Sequence, residues 1–68
     1  MLRRIRGNNM DIVMAVEEIG MDGGISLGRC SRSTVYRWTK TINEYLEYNQ
    51  YDWRVKADYK NCHINIVG

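Results

Sequence analysis

The stretch Ser31–Leu46, SRSTVYRWTKTINEYL, combines a helix start with an apolar stripe. Ser31 and Ser33 both suit the N-cap, because a short side-chain oxygen can accept a hydrogen bond from a first-turn N–H. Large side chains then recur at helical spacing and predict one buried face, formed by Val35, Trp38, Ile42, Tyr45 and Leu46. The stretch therefore predicts a central amphipathic helix on which a small domain packs.

The other side of this helix is basic and rich in hydroxyl groups. It carries Ser33, Arg37 and Lys40, with Thr34, Tyr36 and Thr41 on its flanks, and the first carboxylate is Glu44. Hydroxyl, guanidinium and ammonium groups suit phosphate oxygens and the acceptor-rich edge of guanine. The alternative is an ordinary core helix with a solvated face.

The run from Leu27-Gly28 through Cys30-Ser31-Arg32-Ser33-Thr34-Val35-Tyr36-Arg37-Trp38 resembles the turn and recognition helix of helix-turn-helix regulators. In that family a serine-rich N-cap precedes a buried valine and polar residues that contact bases and phosphates. Two features depart from the pattern. Arg29 looks like an extra residue in the turn, and Gly23, Gly24 and Gly28 would each cost about 1 kcal/mol in the supporting helix. That helix is expected to be short or irregular.

After the central helix, apolar residues recur at every second position. Trp53, Val55, Ala57 and Tyr59 form one alternating set, and Cys62, Ile64 and Ile66 form a second. The two runs predict a β-hairpin over residues 52–67, with Asn61 tolerating positive φ at the bend. Lys56, Lys60 and Asn61 would lie on or near its tip. In one interpretation they contact DNA. In the other, the hairpin is structural and its lysines keep the exposed sheet edge soluble.

The N-terminal third predicts a basic arm and one packing helix. Arg3, Arg4 and Arg6 lie in an arm, residues 1–7, that either follows phosphates and a minor groove or frays in solvent. The helix would be capped by Asn8 or Asn9 and stopped by Gly20. Its predicted apolar face comprises Ile12, Val13, Val16 and Ile19.

Between the two helices, residues 25–29 allow either a short extended segment or one or two helical turns capped by Ser26. The order of helix, short element, recognition helix and hairpin is that of winged helix-turn-helix domains. The resemblance therefore implies a single α+β winged helix-turn-helix domain over residues 1–68, with two to three helices before the hairpin wing. The DNA contacts that it implies are Arg32, Ser33, Thr34, Tyr36, Arg37, Lys40, Thr41, Lys56, Lys60 and Asn61.

Composition supports a small globular domain with segregated charge. The chain has 68 residues, of which 44% are hydrophobic and 26% charged, and its net charge is +2. Residues 29–41 contain four basic residues and no acid, whereas residues 8–28 contain four acids and no base. One surface can therefore be basic and another acidic.

Other classes of function are not expected. Two cysteines are too few for a zinc site; reduced thiols are the default, and a Cys30–Cys62 disulfide is the alternative. With one histidine and no glycine-rich phosphate loop, neither an enzyme, a cofactor nor a small-molecule substrate is indicated. No apolar run approaches the ~20 residues of a membrane span, and a cytoplasmic location is expected.

The leading prediction is a sequence-specific protein that binds double-stranded DNA, typical of a transcriptional regulator and acting as a homodimer. One alternative is a protein-interaction module, since Tyr36, Tyr48, Tyr51 and Trp53 are residues that anchor interfaces. Tyr45–Tyr51 is a candidate dimer or partner surface. An excisionase, partition or replication accessory protein is another alternative.

Overall fold

A computed structural model describes the backbone of residues 9–67 and the side chains of residues 12–67. Its elements are α1 (Asn9–Asp22), β1 (Gly24–Ser26), α2 (Arg32–Tyr48), β2 (Arg54–Asp58) and β3 (His63–Val67). The predicted small α+β architecture is confirmed at this level. The arm contacts predicted for Arg3, Arg4 and Arg6 and the first-helix cap lie outside the described residues.

The buried face of α1 differs from the prediction at one position. Its core residues follow the i, i+3, i+4, i+7 pattern of a helix and are Ile12, Ala15, Val16 and Ile19. Val13, predicted for this face, is 37% exposed. Ala15 lies three residues after Ile12 and therefore on the same side of the helix, whereas Val13 is rotated about 100° from Ile12.

The end of α1 also lies further along the chain than predicted. The helix continues past Gly20 to Asp22, and Gly23 follows with φ +88°. The N–H of Gly23 donates to the carbonyl of Ile19 at 2.7 Å, which is the bond of an αL helix cap. Glycine adopts this left-handed conformation without the steric cost of a Cβ atom.

Residues 23–31 form a strand and a loop, and the alternative of further helical turns is wrong. Strand β1 pairs antiparallel with β3, so that Ile25 lies opposite Ile64. The two strands leave little room here, because a Cβ on Gly24 would collide with the Asn65 side chain and lie 3.0 Å from the Ile64 carbonyl oxygen. No helix lies between Asp22 and Arg32, so α2 is not preceded by the supporting helix of a helix-turn-helix.

Helix α2 confirms the prediction for the central stretch. Ser31 is its N-cap and accepts a hydrogen bond from the N–H of Thr34 at 3.3 Å. Val35, Ile42 and Leu46 are fully buried. Trp38 and Tyr45 are half-buried and pack against the core.

Helix α2 runs two residues beyond Leu46, and its end is a Schellman motif. Tyr51 N–H donates to the Leu46 carbonyl at 2.9 Å and Gln50 N–H donates to the Glu47 carbonyl at 3.1 Å. Gln50 has φ 63°, the left-handed conformation that this motif requires. The motif turns the chain back towards β2.

The three strands form one antiparallel sheet in the order β1-β3-β2. In the β2–β3 hairpin, Val55 lies opposite Ile66 and Ala57 opposite Ile64, which confirms the predicted alternation within the strands. The turn differs from the prediction. Cys62, rather than Asn61, has positive φ, at 53°.

One core joins both helices to the sheet. Its largest fully buried side chains come from α1, α2 and β3 and are Ile19, Ile42, Leu46, Ile64 and Val35. In the part of the chain that the structure describes, neither helix combines the length and the apolar character needed to cross a membrane.

Candidate nucleic-acid interface

Helix α2 and strand β2 of the hairpin lie side by side and run in opposite directions. The Arg32 guanidinium at the start of α2 lies over the ring of Tyr59, just beyond the end of β2, at 5.0 Å from the ring centroid. Further along α2, the Asn43 side chain hydrogen bonds with Val55 near the start of β2. The basic half of α2 therefore lies beside the turn of the hairpin.

The contact between Arg32 and Tyr59 brings together two parts of the predicted DNA surface. A guanidinium within about 6 Å of a tyrosine ring is attracted by the negative face of the ring. The sequence pattern placed Tyr59 both at the end of the alternating set of β2 and in the bend; it lies in the turn and is 36% exposed. The strand ends at Asp58, so the alternation that would turn Tyr59 inward ends there too.

Two further bonds join the loop before α2 to the hairpin turn. The N–H of Leu27 donates to the carbonyl of Cys62 at 2.8 Å. The Cys62 thiol donates to the carbonyl of Cys30 at 3.3 Å. Together with the Arg32–Tyr59 contact, these bonds hold the turn at a defined position beside the first turn of α2.

Three hydroxyl groups surround the start of α2. Ser31 Oγ lies 3.0 Å from Ser33 Oγ and 3.1 Å from Thr34 Oγ1. Ser31 is thereby used as the cap, and Ser33 remains exposed on the outer side. Hydroxyl groups and first-turn N–H groups at a helix start are suited to phosphate oxygens.

The remaining residues predicted on α2 point away from the core. Arg37, Lys40 and Thr41 are exposed, and Tyr36 is 56% exposed. With 1.5 Å per residue, the 17 residues of α2 span about 25 Å, and the basic groups occupy its first half. Glu44 and Glu47 are exposed in the second half. The charge of the exposed face therefore changes sign along the helix.

The hairpin residues predicted to bind DNA occupy two places. Lys60 and Asn61 are exposed in the turn, next to the start of α2. Lys56 lies in the middle of β2, on the face of the sheet away from the core, opposite Asn65. The structure therefore brings Lys60 and Asn61 to the basic half of α2 and places Lys56 further from the turn.

The hairpin turn is held by a hydrogen-bonded carboxylate. Asp58 accepts from the side-chain amide of Asn61 at 3.0 Å and from its backbone N–H at 3.3 Å. These bonds lower the pKa of Asp58 below its ordinary value, and the side-chain bond from Asn61 has the largest effect. Asn61 is therefore engaged in the turn, and Lys60 is the freely exposed cation beside it.

At the other end of α2 the surface is aromatic. The rings of Tyr45 and Tyr51 lie 6.2 Å apart, and Tyr51 meets Trp53 edge to face at 5.6 Å. The Arg54 guanidinium donates to the carbonyls of Tyr51 and Trp53 at 2.8 and 2.7 Å and holds this loop. Tyr48 is 87% exposed. This aromatic end, residues 45–53, is separate from the basic half of α2.

No protein-family model, curated protein or solved structure matches this chain. What the chain does is therefore inferred from the chemistry and geometry of its described residues. Two surfaces stand out, the basic half of α2 with the adjoining turn and the aromatic end. Tyr59 is the residue of the first surface that the sequence pattern did not indicate.

Proposed function

We propose that this chain is a sequence-specific protein that binds double-stranded DNA, with the exposed side of α2 in the major groove and the β2–β3 turn on the phosphate backbone. A small transcriptional regulator with a winged-helix-like fold is the type of protein that we infer. The observation that carries the proposal is the contact of Arg32 with Tyr59, which places the hairpin turn and Lys60 beside the basic half of α2.

The chemistry of this surface favours a polyanion. From Arg29 to Asn43 the chain has no carboxylate, and the side chains exposed on α2 in this range are cationic, hydroxyl-bearing or aromatic. An α-helix fits the width of the major groove, where arginine can bond both acceptors of guanine. Arg37 and Lys40 are the proposed base readers. Ser33, Thr34 and Lys60 are the proposed phosphate contacts.

The proposal does not require a helix before α2. In a helix-turn-helix the preceding helix holds the recognition helix and crosses the DNA backbone. Here β1, the loop bonds to Cys62 and the Asn43–Val55 bonds hold α2 in place. We propose that the hairpin turn takes over the backbone contact.

A homodimer on two half-sites is part of the proposal, because a module of this size makes few contacts by itself. Half-sites one helical turn apart would place the two copies of α2 about 34 Å from each other. The exposed Tyr48 and the half-buried aromatic rings beside it favour the aromatic end as the surface between copies.

The second candidate is a protein-interaction module, and the exposure of Tyr48 and Tyr36 is the observation that favours it. Exposed tyrosines frequently anchor protein interfaces. An excisionase, partition or replication accessory protein would use the same DNA surface as a regulator.

Salt dependence separates the two candidates. Anisotropy of a labelled random duplex, titrated with protein at several salt concentrations, should show an affinity that falls steeply as salt rises, because each neutralised phosphate releases counterions. Lys60→Ala should lower the slope of log K against log salt by about one unit. Arg54→Ala is the control and should leave the slope unchanged, because its guanidinium is held by backbone carbonyls. An affinity for DNA that does not respond to salt would contradict the proposal.

A further inference from the structure

The structure places the two cysteines of the chain against each other, although 32 residues separate them. The Cys62 thiol hydrogen bonds with the carbonyl oxygen of Cys30 at 3.3 Å. Both residues are half-buried, and both pack against the core. Both thiols are free.

The thiols also influence each other. Partial burial, and after it the neighbouring Cys62 thiol, raise the pKa of the Cys30 thiol above its ordinary value. The backbones are joined as well, since Leu27, three residues before Cys30, donates to the carbonyl of Cys62 at 2.8 Å. These bonds hold the Cys30 and Cys62 segments side by side, and closeness of the two backbones is the first condition for a disulfide.

We propose that Cys30 and Cys62 are a redox-modification site, at which a small disulfide such as oxidised glutathione converts the two thiols into one intramolecular disulfide. The thiolate of one cysteine attacks a sulfur of the oxidant and releases one reduced thiol. The second thiolate then attacks the protein sulfur of the mixed disulfide and releases the second reduced thiol. The two cysteine thiol protons pass to the two thiolates released from the oxidant, and the two electrons reduce its disulfide bond.

The bond would join the loop before α2 directly to the hairpin turn. It would close a loop that includes α2 and β2, and the unfolded chain would lose conformational freedom that the native chain has already given up. By linkage, the native chain should then favour the disulfide more than the unfolded chain does. The inference does not depend on DNA binding, since the chemistry and the stability change are measured on the protein alone.

The test uses the full chain equilibrated without oxygen in glutathione buffers of graded ratio, with and without urea. Free thiols are blocked by alkylation, and intact mass distinguishes the dithiol, the mixed disulfide and the internal disulfide. We expect the internal disulfide in monomeric protein, with an equilibrium constant at least about tenfold higher for the native chain than for the unfolded one. We expect the thermal midpoint to rise by about 10 °C on oxidation.

Cys62→Ser is the matched variant, because its hydroxyl can still donate to the Cys30 carbonyl. It should fold, as judged by far-UV dichroism, form only the mixed disulfide with glutathione, and keep its thermal midpoint in oxidising buffer. Cys30→Ser should likewise form only the mixed disulfide, at Cys62, and keep its thermal midpoint. The inference is overturned if the native chain gives only mixed or intermolecular disulfides, or if its equilibrium constant does not exceed that of the unfolded chain.

Discussion

The carboxamide of Asn43 makes two hydrogen bonds with the backbone of Val55. Its Nδ2 donates to the Val55 carbonyl at 3.0 Å, and its Oδ1 accepts from the Val55 N–H at 2.9 Å. Since β2 is an edge strand, the N–H and carbonyl of Val55 would otherwise be open to pairing with a further strand. One side chain of α2 thereby closes part of the sheet edge and sets the distance between helix and hairpin.

Asn43→Ala should lower the free energy of unfolding by about 1–3 kcal/mol, because it leaves a half-buried donor and acceptor without partners. Urea denaturation followed by dichroism measures this change. Asn49→Ala is the matched control, since its exposed carboxamide makes a single bond to the Tyr45 carbonyl. A loss no larger than that of the control would mean that water replaces the Asn43 bonds at no cost.

Gln50→Gly should stabilise the fold. Gln50 has φ 63°, where a side chain costs about 1–2 kcal/mol, while glycine loses about 0.5–1 kcal/mol of additional chain entropy. The net gain should be about 0.5–1 kcal/mol and is measured by thermal or urea unfolding. Asn49→Gly is the control: its φ of −94° is ordinary, so the substitution should destabilise. A Gln50→Gly variant less stable than the wild type would contradict a strained left-handed conformation at Gln50.

Arg37→Ala should abolish the preference for a selected DNA site over random duplex while hardly changing the thermal midpoint. Arg37 is exposed on the side of α2 away from the core, and a bidentate contact with guanine contributes about 1–3 kcal/mol of discrimination. Arg37→Lys should recover affinity for random DNA but little site preference, because ammonium lacks the planar fork. The measurement is competition binding with a site enriched from a random pool.

Arg54→Ala is the matched control for this experiment and should keep the site preference, since Arg54 lies at the aromatic end. Full site preference in Arg37→Ala would show that α2 is not the reading element. Unfolding of that variant would show that the guanidinium supports the fold.

Tyr48→Asp should shift sedimentation towards the monomer and leave far-UV dichroism unchanged. Tyr48 is 87% exposed in one copy, so a carboxylate there is costly only if a second copy covers it. Tyr36→Asp, on the basic half of α2, should leave self-association unchanged. Wild-type protein that is monomeric at high micromolar concentration would rule out the aromatic end as a dimer surface.

Glu18→Gln should make the domain more stable at neutral pH. A hydrogen bond and the negative charge of Asp22 raise the pKa of Glu18, so the folded state holds the Glu18 proton more tightly than the unfolded state does. The stability that this provides is present at pH values below the ordinary glutamate pKa and is lost as pH rises through the higher folded pKa. The gain over wild type should therefore appear above about pH 5 and vanish near pH 3.

Urea unfolding of both proteins across this range is the measurement. Glu17→Gln, which removes a carboxylate from the neighbouring exposed position, is the control. An equal gain for Glu18→Gln at pH 3 and pH 7 would exclude repulsion between Glu18 and Asp22 as the cause.

The elements whose signals are local could be predicted from the sequence. Ser31 as the cap of α2, the buried Val35, Ile42 and Leu46, and the alternation of the β2–β3 hairpin all follow from neighbours within one helical turn or one strand. Such signals depend on spacing along the chain, and spacing is what a sequence displays. The exposed basic residues of α2 were predictable for the same reason.

How these elements meet could not be predicted and depends on the folded chain. Gly24–Ser26 is a strand because β3, about forty residues later, offers it an open edge. The contacts of Arg32 with Tyr59 and of Asn43 with Val55 join residues far apart in sequence, and neither partner indicates the other. Contacts of this kind form only when the whole chain is folded, because distant segments become neighbours there.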